Sequence, residues 1–172
     1  MRLGPLLGAA GIGLFGLLLL SGGGSPGRTL PAPDPEGLRL SEPEISRLDP
    51  AIQPLARALI RAAWDAGIPA VLGSGLRSSA EQDALYAQGR TKPGPIVTDA
   101  RGGSSWHNFG LAFDLAILSA GKYTYPNDVN LWTRLGNLGQ ALGLQWGGSA
   151  DWDHFEYHPA MTLAHARAGT GP

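Results

Sequence analysis

The sequence predicts an α+β domain: a small antiparallel sheet with flanking helices. Three observations carry this. Amphipathic segments with helical spacing and short strand-like runs both occur between residues 49 and 160, without the regular alternation that builds a parallel sheet. The 26 glycines and 14 prolines among 172 residues exclude a helical bundle or coiled coil throughout. The run Leu111–Ile117 alternates apolar residues with alanine and aspartate, the pattern of a half-buried strand. A hydrophobic share of 43% is too high for a disordered chain.

The breakers first mark a head and a linker. Nine glycines lie in residues 1–27 and seven prolines in residues 26–54. Met1-Arg2, an uncharged run from Leu3 to Leu20 and the exit Ser21–Ser25 have the parts of a secretory signal, and the run is also long enough for a retained membrane anchor. Residues 1–25 are therefore expected to export the chain under either reading, without lipidation, since there is no cysteine. Residues 26–48 carry Pro26, Pro31, Pro33, Pro35 and Pro43 and are expected to form an extended linker. The folded domain is expected over 49–160, with a flexible tail over 161–172.

Within the domain, Asp49-Pro50 reads as an N-cap followed by proline at the first helical position, and Ile52, Leu55, Ala56, Leu59, Ile60 and Ala63 recur with helical spacing up to Gly67. Ala70-Val71-Leu72 is a short strand. Ser78 to Glu81 is a capping box that opens a second helix, closed by Gly89. Residues 90–106 form a long loop, a type of segment that often carries function. In the strand Leu111–Ile117, Leu111, Phe113, Leu115 and Ile117 face one way, and Ala112, Asp114 and Ala116 face the other. Lys122 to Pro126 with Gly121 suggests a hairpin or loop. Asp128 caps a third helix through Leu142, and Leu144-Gln145-Trp146 and Phe155-Glu156-Tyr157 are short strands around the turn Gly147-Gly148-Ser149.

A net charge of −1 speaks against nucleic acid as a partner, and membrane contact is expected only through the N-terminal segment. Zero cysteines exclude disulfides and thiolate zinc sites, so any metal must be held by histidine and carboxylate. His107, Asp114 and His154 could supply such a set. On one continuous strand the seven-residue spacing of His107 and Asp114 would place them on opposite faces, but Gly110 can break the strand and let His107 turn toward Asp114. Several alternatives stay open. Glu156 shares the strand face of His154 and could be a base or a supporting partner. His158 could replace His154 as ligand. Asp153 reads as a solvated or structural carboxylate, His165 as a bystander, and Trp106, Trp152 and Phe155 as packing residues. Arg90 and Lys92 read as a solvated loop face, and Gly102-Gly103 as a turn.

Taken together, Ser105-x-His107-x6-Asp114 and Asp151-x-x-His154-Phe155 resemble the two metal motifs of the D-alanyl-D-alanine and L-alanyl-D-glutamate peptidase family of zinc enzymes. Gly75-Leu76-Arg77-Ser78 with Glu81-Gln82, and Leu85 through Thr91, are similar to the family's N-terminal half. The stretch Arg90–Thr98 followed by Gly102-Gly103-x-Ser105-Trp106-His107 is most similar to the L-alanyl-D-glutamate endopeptidase branch of phage endolysins and bacterial wall hydrolases. The resemblance covers about residues 50–158. It implies the zinc DD-peptidase (Hedgehog-like) fold, Zn2+ held by His107, Asp114 and His154, and Asp151 as the catalytic carboxylate. Arg77 would steady the substrate oxygen, with Ser105 and Gln82 as support. The implied activity is hydrolysis of the peptidoglycan stem peptide by a monomer, at the L-Ala–D-Glu bond. Cleavage of D-Ala–D-Ala is the enzymatic alternative, and a non-catalytic, zinc-stabilised wall-binding domain is the alternative of another class.

Overall fold

The computed structural model describes residues 34–170. The expected signal or anchor segment and residues 26–33 of the expected linker lie outside the described residues. In chain order the elements are α1 (Glu36–Ile45), α2 (Gln53–Asp65), β1 (Ala70–Ser74), α3 (Ser79–Ala87), β2 (Ala112–Ser119), β3 (Lys122–Thr124), α4 (Val129–Ala141), β4 (Gln145–Trp146), β5 (His154–Glu156) and α5 (Leu163–Ala168). All strand pairs are antiparallel, in the order β1-β2-β5-β4, with β3 beside β2. Ile117 pairs with Ala70 on one side and Thr124 on the other, so β3 and β5 share one edge of β2.

β2 divides the molecule as its alternation requires. Phe113, Leu115 and Ile117 join Leu72, Phe155 and the inner residues of α1, α2 and α4 in one core. The registers Phe113↔Phe155 and Asp114↔His154 put two phenylalanines on the core face and an aspartate and a histidine on the other. The Phe113 and Phe155 rings stack with centroids 5.8 Å apart, and both are fully buried. Each ring contributes about 2–3 kcal/mol by removal from water.

Two expected boundaries are corrected. Residues 36–45 are helix, not linker. Leu38, Ser41 and Ile45 recur at helical spacing and are buried, and Pro35 precedes the first turn, where its missing N–H costs nothing. Ser41 Oγ accepts from Leu72 N at 2.8 Å, and Trp64 Nε1 donates to Ala70 O at 2.8 Å. These side chains satisfy the outer edge of β1, which would otherwise present unpaired backbone groups. Nor are residues 163–168 a free tail. They form α5, capped by Thr162, and Arg167 reaches back to Gly103 O at 2.7 Å and Ser104 Oγ at 2.8 Å.

The first core helix also starts later than Asp49-Pro50 suggests. Asp49 N donates to Gly110 O at 3.0 Å and its carboxylate accepts from Ala51 N, so Asp49 closes a turn and α2 begins at Gln53. Asp128 caps α4 as expected, through Leu131 N at 3.1 Å. Among the described residues no helix is long and apolar enough to cross a membrane.

Candidate active site

His107 sits on a 3-10 turn, Trp106–Phe109, that Ser105 caps by accepting from His107 N. The turn ends at Gly110 with φ +67°, a left-handed conformation that L side chains rarely adopt. A β-carbon there would also stand 2.8 Å from Asp49 N. This sharp exit lets His107 face Asp114 across a loop, which a straight strand would forbid. Asp114 and His154 meet as direct partners across β2 and β5.

The three side chains converge. His107 Nε2 lies 3.2 Å from His154 Nδ1 and 3.2 Å from Asp114 Oδ1, and His154 Nδ1 lies 3.0 Å from the same oxygen. Donors bound about 2.0–2.1 Å from a tetrahedral zinc stand roughly 3.3 Å apart, so the spacing suits that ion. The outer nitrogens define the tautomers. His107 Nδ1 is 2.8 Å from Gly75 O, and His154 Nε2 is 3.1 Å from Glu156 Oε2. Both partners only accept, so both outer nitrogens carry protons and two lone pairs point inward beside a carboxylate. Such a set repels itself unless a cation or an added proton sits among it. Burial would lower the pKa of His154, but hydrogen bonds to Asp114 and Glu156 outweigh it and push it up to about 10. Burial likewise acts to raise Asp114, yet the two histidines and the Arg77 charge hold it well below the usual carboxylate range. The residues therefore fit a divalent metal with histidine and carboxylate ligands.

Around this cluster runs a supporting layer. Arg77 donates from Nη2 to the second Asp114 oxygen, from Nε and Nη2 to Ser74 Oγ, and from Nη1 to Gln82 Oε1 at 3.3 Å. Gln82, fully buried on α3, extends this chain to Thr98 Oγ1 and Ala100 O. Glu156 supports His154 and also contacts His158 Nε2 at 2.9 Å, and the His158 ring stacks on Trp106 at 3.8 Å between centroids. Glu156 is thus a partner of His154, and the His158 ring is turned to Glu156 and Trp106. Arg90 binds Tyr86 O, Thr98 O and Asp99, which stitches the long loop together.

A cavity of about 490 Å3 opens over the cluster, lined by Arg77, Ser105, Asp114, His154 and both Asp151 and Asp153 among others. Asp151 is exposed at the end of the 3-10 turn Gly148–Ala150, as its expected loop position requires. A β-carbon on Gly147 would come within 2.4 Å of Asp151 O, so glycine lets the turn close against the aspartate. Asp153 is not simply solvated. Its carbonyl accepts from Leu115 N at 2.9 Å, and its half-buried carboxyl is pushed up to about 6 by burial, Asp114 and Asp151. The sequence signal for Asp153 was its place one residue before His154. The role of Gly75 O had no sequence signal, since any residue type supplies a carbonyl.

A family profile described as VanY, D-alanyl-D-alanine carboxypeptidase, matches residues 45–147. The chain belongs to this family. The chain is also similar to the peptidoglycan L-alanyl-D-glutamate endopeptidase CwlK of Bacillus subtilis, 41% identical over 129 residues, spanning 70% of this chain and 76% of CwlK. The fold is that of the Serratia marcescens L-Ala D-Glu endopeptidase ChiX, with a TM-score of 0.51 at 20% identity over 68% of this chain and 85% of that one. The LD-carboxypeptidase LdcB aligns with a TM-score of 0.50 at 26% identity, covering 72% of each chain. Asp151 and His154 lie beyond the VanY match, and β-sheet register brings His154 into the cluster.

Proposed function

We propose that the chain is an exported zinc metallopeptidase that hydrolyses peptidoglycan stem peptides at the L-Ala–D-Glu bond. One observation carries the chemistry: two inward imidazole lone pairs and a carboxylate converge at metal-ligand spacing in the floor of an open cavity. The bond assignment follows the CwlK relative, and a donor set of two imidazoles and a carboxylate is of the kind that holds zinc. Zinc held by His107, Asp114 and His154 would polarise the scissile carbonyl and acidify water to a pKa of about 7.

The chain's own residues do the rest. Asp151, exposed on the cavity wall, accepts a proton from the attacking water and returns it to the leaving amine nitrogen. Arg77 locks the second oxygen of Asp114, so the carboxylate keeps one oxygen turned to the histidines. Its permanently charged guanidinium also lines the cavity, where it offsets negative charge developing on the carbonyl oxygen. Ser105 holds the His107 turn and Gln82 holds Arg77. A structural zinc site would need neither an exposed carboxylate beside it nor an open cavity, which argues against a non-catalytic wall-binding role. The N-terminal residues 1–25 would deliver the enzyme as a signal or an anchor, and a monomer suffices, since every proposed site residue comes from one chain.

The VanY profile supports a second reading, release of C-terminal D-alanine. Digestion of purified peptidoglycan, followed by labelling of new amino termini, separates the two. N-terminal D-glutamate supports the endopeptidase; free D-alanine without it establishes the carboxypeptidase.

A further inference from the structure

The Asp151–Asp153 wall has two sides. One faces the cavity over the metal ligands. The other bounds a second cavity of about 360 Å3, which Tyr125 and Asn127 line from the β3–α4 connection and Ser149 from the turn before Asp151. Among the described residues no arginine, lysine or histidine lines this second space, whereas Arg77 and two histidines line the first. Tyr125 is 56% exposed. Its hydroxyl nevertheless reaches over the site face of the sheet: a β-carbon on Gly73 would stand 2.6 Å from it and 3.2 Å from Ala116 Cβ. Ala116 lies two residues from Asp114 on the same strand face, a separation of about 7 Å. The Tyr125 ring thus walls the second cavity while its tip approaches the reacting centre.

This placement can be matched to the substrate, and the match rests on the L-Ala–D-Glu reading. The two flanks of that bond are chemically unlike. On the leaving side, D-glutamate carries an α-carboxyl group beside the scissile amide. On the acyl side, L-alanine is amide-linked to the lactyl group of N-acetylmuramic acid, whose sugar ring begins about 7 Å from the scissile carbonyl, two residues' worth of extended chain. An anionic flank suits the Arg77 compartment and is repelled by a space walled by Asp151 and Asp153 with no basic side chain among its described lining residues. An uncharged acetamido sugar suits the aromatic faces of Tyr125 and Trp152, with the Asn127 amide and Ser149 hydroxyl for its polar groups. We propose that the second cavity is an N-acetylmuramyl subsite, with Tyr125 as its stacking wall, and that glycan-linked stem peptides are preferred over free ones.

The test compares kcat/KM of the zinc-loaded protein on N-acetylmuramyl-L-Ala-D-Glu-L-Lys and on N-acetyl-L-Ala-D-Glu-L-Lys, so that both substrates carry an acylated L-alanine. The muramyl substrate is expected to be at least about tenfold better. Tyr125→Ala and, separately, Asn127→Ala are expected to pull the ratio toward one; general damage to the fold would lower both substrates alike. Equal kcat/KM in the wild type, or a ratio untouched by both substitutions, overturns the subsite. Binding of the uncharged methylamide of N-acetylmuramic acid, followed by NMR at the Trp152 indole, separates this inference from the bond assignment. Sugar binding that Tyr125→Ala removes supports the subsite even where neither peptide is cleaved. No binding together with cleavage of both peptides at equal rates leaves the endopeptidase standing and removes the subsite.

Discussion

The two faces of β2 are built from alternate residues of the same strand, yet they are held in different ways. The core face, Phe113, Leu115 and Ile117, is stabilised by many small contacts with α1, α2, α4 and β5. The site face, Asp114 with His154 and Glu156 alongside, is held by a chain of single hydrogen bonds running from His158, which stacks on Trp106, through the cluster to Arg77, Gln82 and the loop at Ala100. Losing one packing contact costs part of a sum. Losing one link of the chain frees the group it orients. Stability should therefore depend on the first face, and metal affinity and turnover on the second.

Substitutions can break this division. Phe113→Ala is expected to cost about 3–5 kcal/mol of stability, measured by urea unfolding, because a buried ring leaves a cavity. The folded remainder should still bind zinc at one equivalent. Asp151→Asn should do the reverse: an unchanged unfolding midpoint and zinc content, with kcat lowered about 100- to 10,000-fold by loss of the proton acceptor. A retained rate in that variant would move the role to Asp153. Glu156→Gln should lower zinc affinity about 10- to 100-fold in a competition titration, since the amide supports His154 less well than the carboxylate. The smallest effect belongs to neither face. Glu42 joins α1 to α2 through Arg57, and that hydrogen bond lowers its pKa in the fold. Its contribution is present above the unfolded value and lost as pH falls through the lowered one. Because the pair is half exposed, Glu42→Gln should remove less than about 1 kcal/mol, and only above roughly pH 4.

Much of the site face was legible because alternation is strict. Once Leu111–Ile117 is a strand, Asp114 must oppose the core, and Gly110 explains how His107 can reach it. Glu156 followed from sharing a face with His154. Other features depend on tertiary contacts that no local pattern encodes. Pro35 and Pro43 weigh against a helix locally, so residues 36–45 read as linker in the sequence, while burial of Leu38, Ser41 and Ile45 outweighs them in the fold. The docking of α5 rests on Arg167 meeting backbone and side chain some sixty residues earlier in the chain. Tyr125 looked like part of an ordinary hairpin exit; its relation to the site depends on the small residues Gly73 and Ala116 beneath it.

The central claim is that His107, Asp114 and His154 form one metal site that drives cleavage of the L-Ala–D-Glu bond. The most direct measurement is a zinc titration of chelator-stripped protein, with released N-terminal D-glutamate quantified by mass spectrometry at each step. The account predicts no release from the stripped protein and a linear rise that ends at one zinc per chain. Release of D-glutamate termini by the stripped protein, or a titration in which bound zinc restores none, would contradict it.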